Sequence, residues 1–165
     1  MTEEDDIIVR RHPGSTADEM KHFIKDSLNR FRPKKLIIFG GCNDIGRAAL
    51  DNKSEWDVVN SVKEMAMEGR KFGCNEIYVS SILPRWGSHH MKMITKVNGM
   101  LRTVCAEEGL TFLDHGDITM DHICGDGIHP NKYGSTILKM NIVSCFKNFN
   151  PYLTTFYDFY ESAFS

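Results

Sequence analysis

The sequence predicts an α/β protein in which a parallel sheet lies between two layers of helices. Short apolar runs alternate along the chain with longer amphipathic stretches, the pattern of repeated strand–helix–strand units. At 165 residues the chain is long enough for one domain with a sizeable core. We expect residues 1–149 to form that domain and residues 150–165, rich in aromatic side chains, to form a C-terminal tail that packs on it.

Apolar periodicity places the individual elements. Four short apolar runs predict strands at residues 7–11, 34–39, 76–83 and 110–114. Residues at helical spacing form stripes between these strands, and we interpret the stripes as faces of the core. The stripes are Met20, Phe23, Ile24, Leu28 and Phe31; Trp56, Val59, Val62, Met65 and Ala66; and Met93, Ile94, Val97, Met100, Leu101 and Val104. A last helix is predicted after Asn131, a good N-cap, with Ile137, Leu138, Ile142, Val143 and Phe146 as its apolar residues.

Two segments that follow predicted strands are expected to be loops over the carboxyl edge of the sheet, at residues 45–54 and 83–90. Arg85 and Trp86, in the second loop, are candidates for contact with a substrate. An equally good interpretation makes Trp86 a lid over the core and Arg85 a solvated side chain.

Composition limits the classes of partner and the setting. Hydrophobic residues make up 41% and charged residues 25% of the chain, and the net charge is −2, so nothing favours nucleic acid or an anionic membrane as a partner. No apolar run is long enough to cross a bilayer. The five cysteines contain no Cys-x-x-Cys pair, which favours reduced thiols and a cytoplasmic location.

The segment with the clearest chemistry is residues 125–134, where Asp126 precedes His129 by three positions. A carboxylate beside a histidine can fix the tautomer of the ring and stabilise the imidazolium that forms when the other nitrogen accepts a proton. Gly127 allows a sharp turn between the two groups, and Pro130 stiffens the exit. The alternative is an ordinary surface turn, because Asp-Gly and His-Pro are common turn dipeptides.

A metal site is a second interpretation of the same region, since His115, His122, Cys124 and His129 lie close in sequence. Their spacings match no compact zinc pattern, and the pairing of Asp126 with His129 is simpler. We therefore expect no metal.

Two further segments carry groups suited to binding an anion. The strand at residues 34–39 ends in Gly40, Gly41, Cys42 and Asn43, at the edge where ligands bind in parallel sheets. The Asn43 amide can donate to an oxyanion, and Gly41 permits close approach of the backbone to a substrate. Gly14, after the strand at residues 7–11, can offer its N–H as a second donor.

In their order and separations, the glycine turn at Gly14, the Gly41-Cys42-Asn43-Asp44 block and the Asp126–His129 block resemble the SGNH (GDSL-like) hydrolase family over about residues 7–146. The resemblance implies a three-layer α/β/α sandwich with a parallel, flavodoxin-like sheet and an esterase or deacylase activity that needs no metal or organic cofactor. It also implies that Asp126 and His129 are catalytic, that Gly14 and Asn43 form the oxyanion hole, and that the substrate is a small acyl ester.

The sequence departs from that family at its first block, a strand followed by Gly-Asp-Ser, which has no counterpart here. We therefore expect a sheet that lacks its first, central strand, and a chain that is a fragment or a shortened form and is inactive as it stands. Residues 7–11 would then pair with residues 34–39, remain an unsatisfied edge, or receive a strand from another chain.

Other serines are poor substitutes for the nucleophile. Ser15 lies next to Gly14, but Ser15 or Thr16 is better explained as the N-cap of a helix, with Thr16 and Glu19 spaced as a capping box. Ser80 and Ser81 lie on a strand, where alternation points one inward and one outward. A non-catalytic module that binds a carbohydrate, a protein or RNA is the competing hypothesis, and the sequence leaves the oligomeric state open.

Overall fold

The computed structural model describes residues 8–146, and within them it contains a parallel three-stranded sheet flanked by helices. The strands, in sheet order, are β1 (Lys35–Ile38), β2 (Glu76–Ser80) and β3 (Thr111–Leu113). The helices are α1 (Ala17–Phe31), α2 (Cys42–Asp51), α3 (Glu55–Lys71), α4 (Ser88–Glu108) and α5 (Lys132–Val143), and a 3₁₀ turn covers Met120–His122. The predicted fold class is confirmed; the tail at residues 150–165 lies outside the described residues.

The sheet separates two apolar cores, because successive side chains of a strand point to opposite faces. Leu36 and Ile38 pack into the larger core with α1, α3 and α4. Ile37 and Phe39 pack into the smaller core, where Leu138 and Ile142 of α5 are buried. Helices therefore cover both faces of the sheet, and α5 lies on the face opposite α3 and α4.

Local sequence signals explain where the helices begin. The Thr16 hydroxyl accepts from the Glu19 N–H at 3.3 Å while the Glu19 carboxylate accepts from the Thr16 N–H at 2.7 Å, a complete capping box for α1. At the start of α5, the Asn131 side chain accepts from the N–H groups of Tyr133 and Gly134, each at 3.0 Å. The predicted cap duties of Thr16 and Asn131 are confirmed.

Residues 8–11 are not a strand, so that part of the predicted strand at residues 7–11 is wrong; residue 7 lies outside the described residues. Ile8 and Val9 remain 53% and 38% exposed and line a cavity whose opposite wall is β1. An extended segment becomes a strand only when a neighbouring edge lies within hydrogen-bonding distance, and the cavity separates these residues from β1. Of the three outcomes weighed for this segment, direct pairing with residues 34–39 is not observed among the described residues.

The segment at residues 45–54, predicted as a loop, is mostly helical, because α2 runs from Cys42 to Asp51. Gly41, with φ of 102°, turns the chain from β1 directly into this helix, and Asn52, with φ of 49°, ends it in the left-handed region. Only Asp44 and Ile45 of α2 are buried, so the sequence has no apolar stripe from which this helix could be predicted.

The apolar stripes also include two residues that are exposed to solvent. Phe23 is 49% exposed and Trp56 is 52% exposed, although both stand at helical spacing with buried neighbours. Ser80 and Ser81 are both buried, at and just after the end of β2. The Ser81 hydroxyl accepts from the His115 N–H at 2.9 Å.

Candidate active site

The loop that carries Asp126 and His129 is closed on itself by backbone contacts. The Cys124 N–H donates to the His129 carbonyl at 2.7 Å, and the Gly127 N–H donates to the Cys124 carbonyl at 2.9 Å. Gly127 has φ of +73°, a conformation that side chains other than glycine rarely adopt. The sequence Gly125-Asp126-Gly127 therefore forms a tight turn that places both functional side chains on one short loop.

Asp126 and His129 form a direct pair, with 2.5 Å between Asp126 Oδ2 and His129 Nδ1. The second carboxylate oxygen, Oδ1, accepts from the N–H groups of Ile128 and His129, at 2.9 and 3.0 Å. These bonds favour the charged form: the His129 N–H and then the Ile128 N–H lower the pKa of Asp126 to about 2. The carboxylate is thus ionised at neutral pH and fixes His129 by its Nδ1 atom.

Neighbouring elements hold the loop in place. The Trp86 N–H donates to the Gly127 carbonyl at 2.8 Å, and a Cβ atom on Gly127 would lie 2.8 Å from Trp86 Cβ and Cγ. On the other side, Gly134 in the first turn of α5 is so close to His122 that a Cβ would lie 2.4 Å from the His122 carbonyl oxygen. The structure therefore places Trp86, predicted as a substrate contact, against the loop, where it supports Asp126 and His129.

The two predicted anion donors lie together at the carboxyl edge of β1. Asn43 stands in the first turn of α2, and its amide Nδ2 donates to the Ser15 carbonyl at 2.9 Å. Gly14, with φ of +74°, lies in a turn in which the Ser15 N–H donates to the His12 carbonyl at 3.1 Å. Because a side-chain amide carries two N–H groups, the bond to Ser15 uses one of them.

Asp44 is a positioning residue that the sequence reasoning did not single out. It is fully buried, and its Oδ2 accepts from the Ala17 N–H at the start of α1 at 2.8 Å. Its Oδ1 has no hydrogen bond within the described residues, and the Lys53 ammonium is 3.6 Å away, an ion pair without hydrogen-bond geometry. Aspartate in a first helical turn is common, so the sequence held no signal for a contact between two helices.

A cavity of about 950 Å³ brings most of the predicted site residues together. Its lining includes Gly14, Gly41, Asn43, Arg85 and His129. The lack of a side chain at Gly41 leaves room for Ile82, because a Cβ at Gly41 would lie 2.8 Å from Ile82 Cδ1. The Arg85 guanidinium lies over Gly46 in α2, with Nη1 3.5 Å from the Cys42 carbonyl, and gives this wall of the cavity a positive charge.

The residues of the metal interpretation are engaged in other ways. The His122 ring accepts from the Thr119 N–H at 2.9 Å, and His115 is buried with its ring edge-on to Phe39. Across residues 8–146 no group of three or more His, Cys, Asp or Glu side chains could hold a metal ion.

Over the same residues, no helix has the length and apolar character that a membrane span requires.

These features define an α/β protein in which the histidine of a carboxylate–histidine pair lines the same cavity as Gly14 and Asn43. The model of the GDSL-like lipase/acylhydrolase family matches residues 2–137, and the chain belongs to that family. A search of curated protein sequences found no match.

Solved structures share the fold at low sequence identity. A mutant acetyl esterase with an acetate ion has a TM-score of 0.72 at 19% identity, covering 81% of this chain and 67% of that one. A GDSL-like lipase from Bacteroides thetaiotaomicron has a TM-score of 0.69 at 16% identity, covering 80% of this chain and 71% of that one. A carbohydrate esterase of family 3 from Talaromyces cellulolyticus has a TM-score of 0.71 at 19% identity, covering 81% of this chain and 67% of that one. The resemblance to SGNH hydrolases is confirmed.

Proposed function

We propose that this chain carries the general base and the oxyanion donors of a serine-type esterase. The observation that carries the proposal is the 2.5 Å pair of Asp126 and His129, with His129 on the same cavity as Gly14 and Asn43. Such a pair can take the proton from a serine hydroxyl as that oxygen attacks an ester carbonyl, and can then return it to the leaving alcohol. The Gly14 N–H and the Asn43 amide would hold the oxyanion of the tetrahedral intermediate.

The charge of Asp126 supports this division of roles. Its pKa of about 2 keeps the carboxylate ionised at neutral pH. An ionised Asp126 holds the proton of His129 on Nδ1, so Nε2 is the nitrogen that would accept a proton from a nucleophile. No step of this chemistry needs a metal ion or an organic cofactor.

The nucleophile is the part that this chain does not supply in the family's form. No Gly-Asp-Ser occurs in the 165 residues, and we propose that the chain as given is inactive toward esters. Ser15 is the serine to test first, because it lines the cavity with His129 and Thr16, not Ser15, caps α1.

Acetyl esters of small alcohols or sugars are the proposed substrate class. Two of the structural neighbours are described as an acetyl esterase and a carbohydrate esterase. Arg85 adds a cation to the wall of the cavity, which suits a polar or acidic group on the alcohol portion of the ester.

The test uses a fluorophosphonate probe and an aryl acetate on the purified chain, and on a version to which a strand ending in Gly-Asp-Ser is fused before residue 1. We expect no adduct on the chain itself, and turnover by the fused version that His129→Ala abolishes and Asn43→Ala lowers by roughly two to three orders of magnitude. His22→Ala, on the exposed surface of α1, is the matched control and should leave turnover unchanged.

Undiminished turnover in His129→Ala or Asn43→Ala would refute the assigned roles. A stoichiometric adduct on Ser15 of the unfused chain, lost in His129→Ala, would show that the chain has its own nucleophile and would contradict the proposed inactivity. A folded fused protein that shows no turnover would favour the alternative, a binding module that keeps the pocket without the reaction.

A further inference from the structure

The charged side chains around the cavity are of one sign. Among the described residues that line it, they are lysines and arginines, with no aspartate or glutamate: Arg10, Arg11, Lys35 and Arg85. Arg10 and Arg11 are exposed to solvent, and Lys35, at the start of β1, pairs with Glu76 at 3.2 Å. Arg85 is half-buried and follows β2 at the carboxyl edge of the sheet. The cavity therefore favours a ligand with negative charge, and Arg85 is well placed to meet that charge.

The Arg85 guanidinium has no carboxylate partner within residues 8–146. It makes one long hydrogen bond among these residues, from Nη1 to the Cys42 carbonyl at 3.5 Å. A guanidinium carries five N–H donors, so most of its hydrogen-bonding capacity is unused by this part of the chain. Because a charge that is partly removed from water gains most from an opposite charge, Arg85 is suited to bind an anion.

The carboxylates of the neighbouring elements have other partners. Asp44 of α2 accepts from the Ala17 N–H at 2.8 Å and lies 3.6 Å from the Lys53 ammonium. Asp126, in the loop after the 3₁₀ turn, is bound to His129 at 2.5 Å. Neither carboxylate is therefore available to neutralise the guanidinium, and a ligand could supply the charge.

Gly46 of α2 provides the surface on which the guanidinium lies. A Cβ atom on Gly46 would lie 2.7 Å from Arg85 Nη2 and 2.8 Å from Cζ and Nη1. The near-equal distances mean that a face of the planar guanidinium rests on the helix, so the N–H groups, which lie in the plane, are not covered by it. Glycine inside a helix is less stable than alanine, and the room that it leaves for Arg85 accounts for its presence here.

This packing places Arg85 beside the groups of the proposed reaction. The carbonyl that it contacts belongs to Cys42, the residue before the oxyanion donor Asn43. The residue after Arg85 is Trp86, whose N–H donates to the Gly127 carbonyl at 2.8 Å in the loop of the candidate base. An anionic group bound to Arg85 would therefore belong to a small ester, on a portion close to the reacting carbonyl.

We propose that Arg85 binds a carboxylate on the alcohol portion of the substrate, and that Gly46 is the positioning residue that orients Arg85. The inference rests on the proposed esterase function and narrows its substrate class to acetyl esters whose alcohol portion carries a carboxylate. A planar carboxylate matches two parallel N–H donors of a guanidinium, a geometry that a lysine ammonium cannot offer.

The test compares two aryl acetates in the version fused to a strand ending in Gly-Asp-Ser. Para-acetoxybenzoate carries a carboxylate, and para-acetoxybenzamide is a neutral counterpart of similar shape. We expect the ratio of their kcat/KM values to favour the acid by roughly tenfold or more, and Arg85→Gln to remove this preference. Arg85→Lys should give an intermediate ratio. Gly46→Ala should lower the ratio, with no further fall when it is combined with Arg85→Gln.

Two variants are matched controls. Gly99→Ala makes the same change at a glycine of α4 where an added Cβ would meet nothing within 4 Å. Arg102→Gln removes an exposed cation of the same helix. Both should leave the ratio of the two kcat/KM values unchanged.

A binding measurement on the 165-residue chain itself requires no turnover. Isothermal titration calorimetry with para-acetamidobenzoate, an amide analogue of the acidic ester, reports on the carboxylate site directly. We expect its affinity to fall by roughly tenfold or more in Arg85→Gln and to stay unchanged in Arg102→Gln.

The outcomes separate this inference from the proposed function. If both esters are hydrolysed with the same ratio in the fused protein and in its Arg85→Gln variant, the inference is overturned and the esterase function stands. Hydrolysis of neither ester would count against the esterase function, and calorimetry would then decide the carboxylate site: binding that requires Arg85 supports it, whereas equal binding in Arg85→Gln, or none, overturns it. An unchanged ratio in Gly46→Ala would overturn the role of Gly46.

Discussion

Replacement of Asp44 tests whether one buried carboxylate joins the two halves of the candidate oxyanion site. Asp44 lies in α2 next to Asn43, and it binds the N–H of Ala17, three residues after Gly14. In Asp44→Ala the Ala17 N–H loses a charged acceptor at a site with no exposed surface. A hydrogen bond to a charged group contributes about 1.5–3 kcal/mol to stability, and the partly exposed pair with Lys53 contributes no more than about 1 kcal/mol.

We therefore expect Asp44→Ala to lower the free energy of unfolding by about 2–4 kcal/mol. Urea denaturation followed by circular dichroism measures this change, and with a typical slope of about 2 kcal/mol/M the midpoint falls by about 1–2 M. Asp44→Asn keeps an acceptor for the Ala17 N–H but removes the charge, so its loss should be smaller. The control is Asp51→Ala in the same helix, which removes a 3.2 Å surface pair with Arg47 and should cost less than about 0.5 kcal/mol.

A change in Asp44→Ala no larger than that in Asp51→Ala would refute the reasoning. It would mean that the cost of burying the Asp44 charge cancels what its bond to α1 contributes, as happens for some buried ion pairs.

The remaining predictions concern a glycine, a histidine and an asparagine. Gly127→Ala should destabilise the protein by about 1–3 kcal/mol, because the φ of Gly127 is +73° and a Cβ there would lie 2.8 Å from Trp86. Urea unfolding measures this loss of stability, and an unchanged midpoint would contradict the tight contact. Burial lowers the pKa of His115, with the opposing effects of Asp117 and Asp114 smaller. The unfolded chain therefore binds more protons at His115 than the folded chain as pH falls below about 6.5, so the stability of the fold should decline there. Thermal melts at pH 7 and pH 5 measure this decline, and it should be smaller in His115→Gln. Asn98→Ala should cost about 2–4 kcal/mol, since its side chain binds both the N–H and the carbonyl of Ile82, at 2.8 and 3.0 Å; a thermal midpoint equal to that of the wild type would argue against it.

Much of the fold follows from local rules that the sequence displays. The Thr16–Glu19 capping box and the Asn131 cap are visible as residue spacings, and each forms with the expected bonds. The pairing of Asp126 with His129 was predictable for a related reason, since only two residues, one of them a glycine, lie between the two groups.

What the sequence concealed depends on contacts between distant segments. Asp44 looks like any acidic residue of a first helical turn until the fold brings the Ala17 N–H of α1 to its carboxylate. The failure of residues 8–11 to form a strand was likewise not visible locally, because a strand needs a partner edge and its own residues cannot show whether one is adjacent.

The contact between Trp86 and the Asp126–His129 loop has a practical consequence for spectroscopy. The chain contains two tryptophans, Trp56 on α3 and Trp86 against Gly127. Since Trp56 is 52% exposed and distant from the loop in sequence, Trp56→Phe would leave a single indole whose emission reports on the surroundings of the site. The Trp56→Phe variant would thus carry one intrinsic fluorescent probe, beside the Asp126–His129 loop, that requires no label and no turnover.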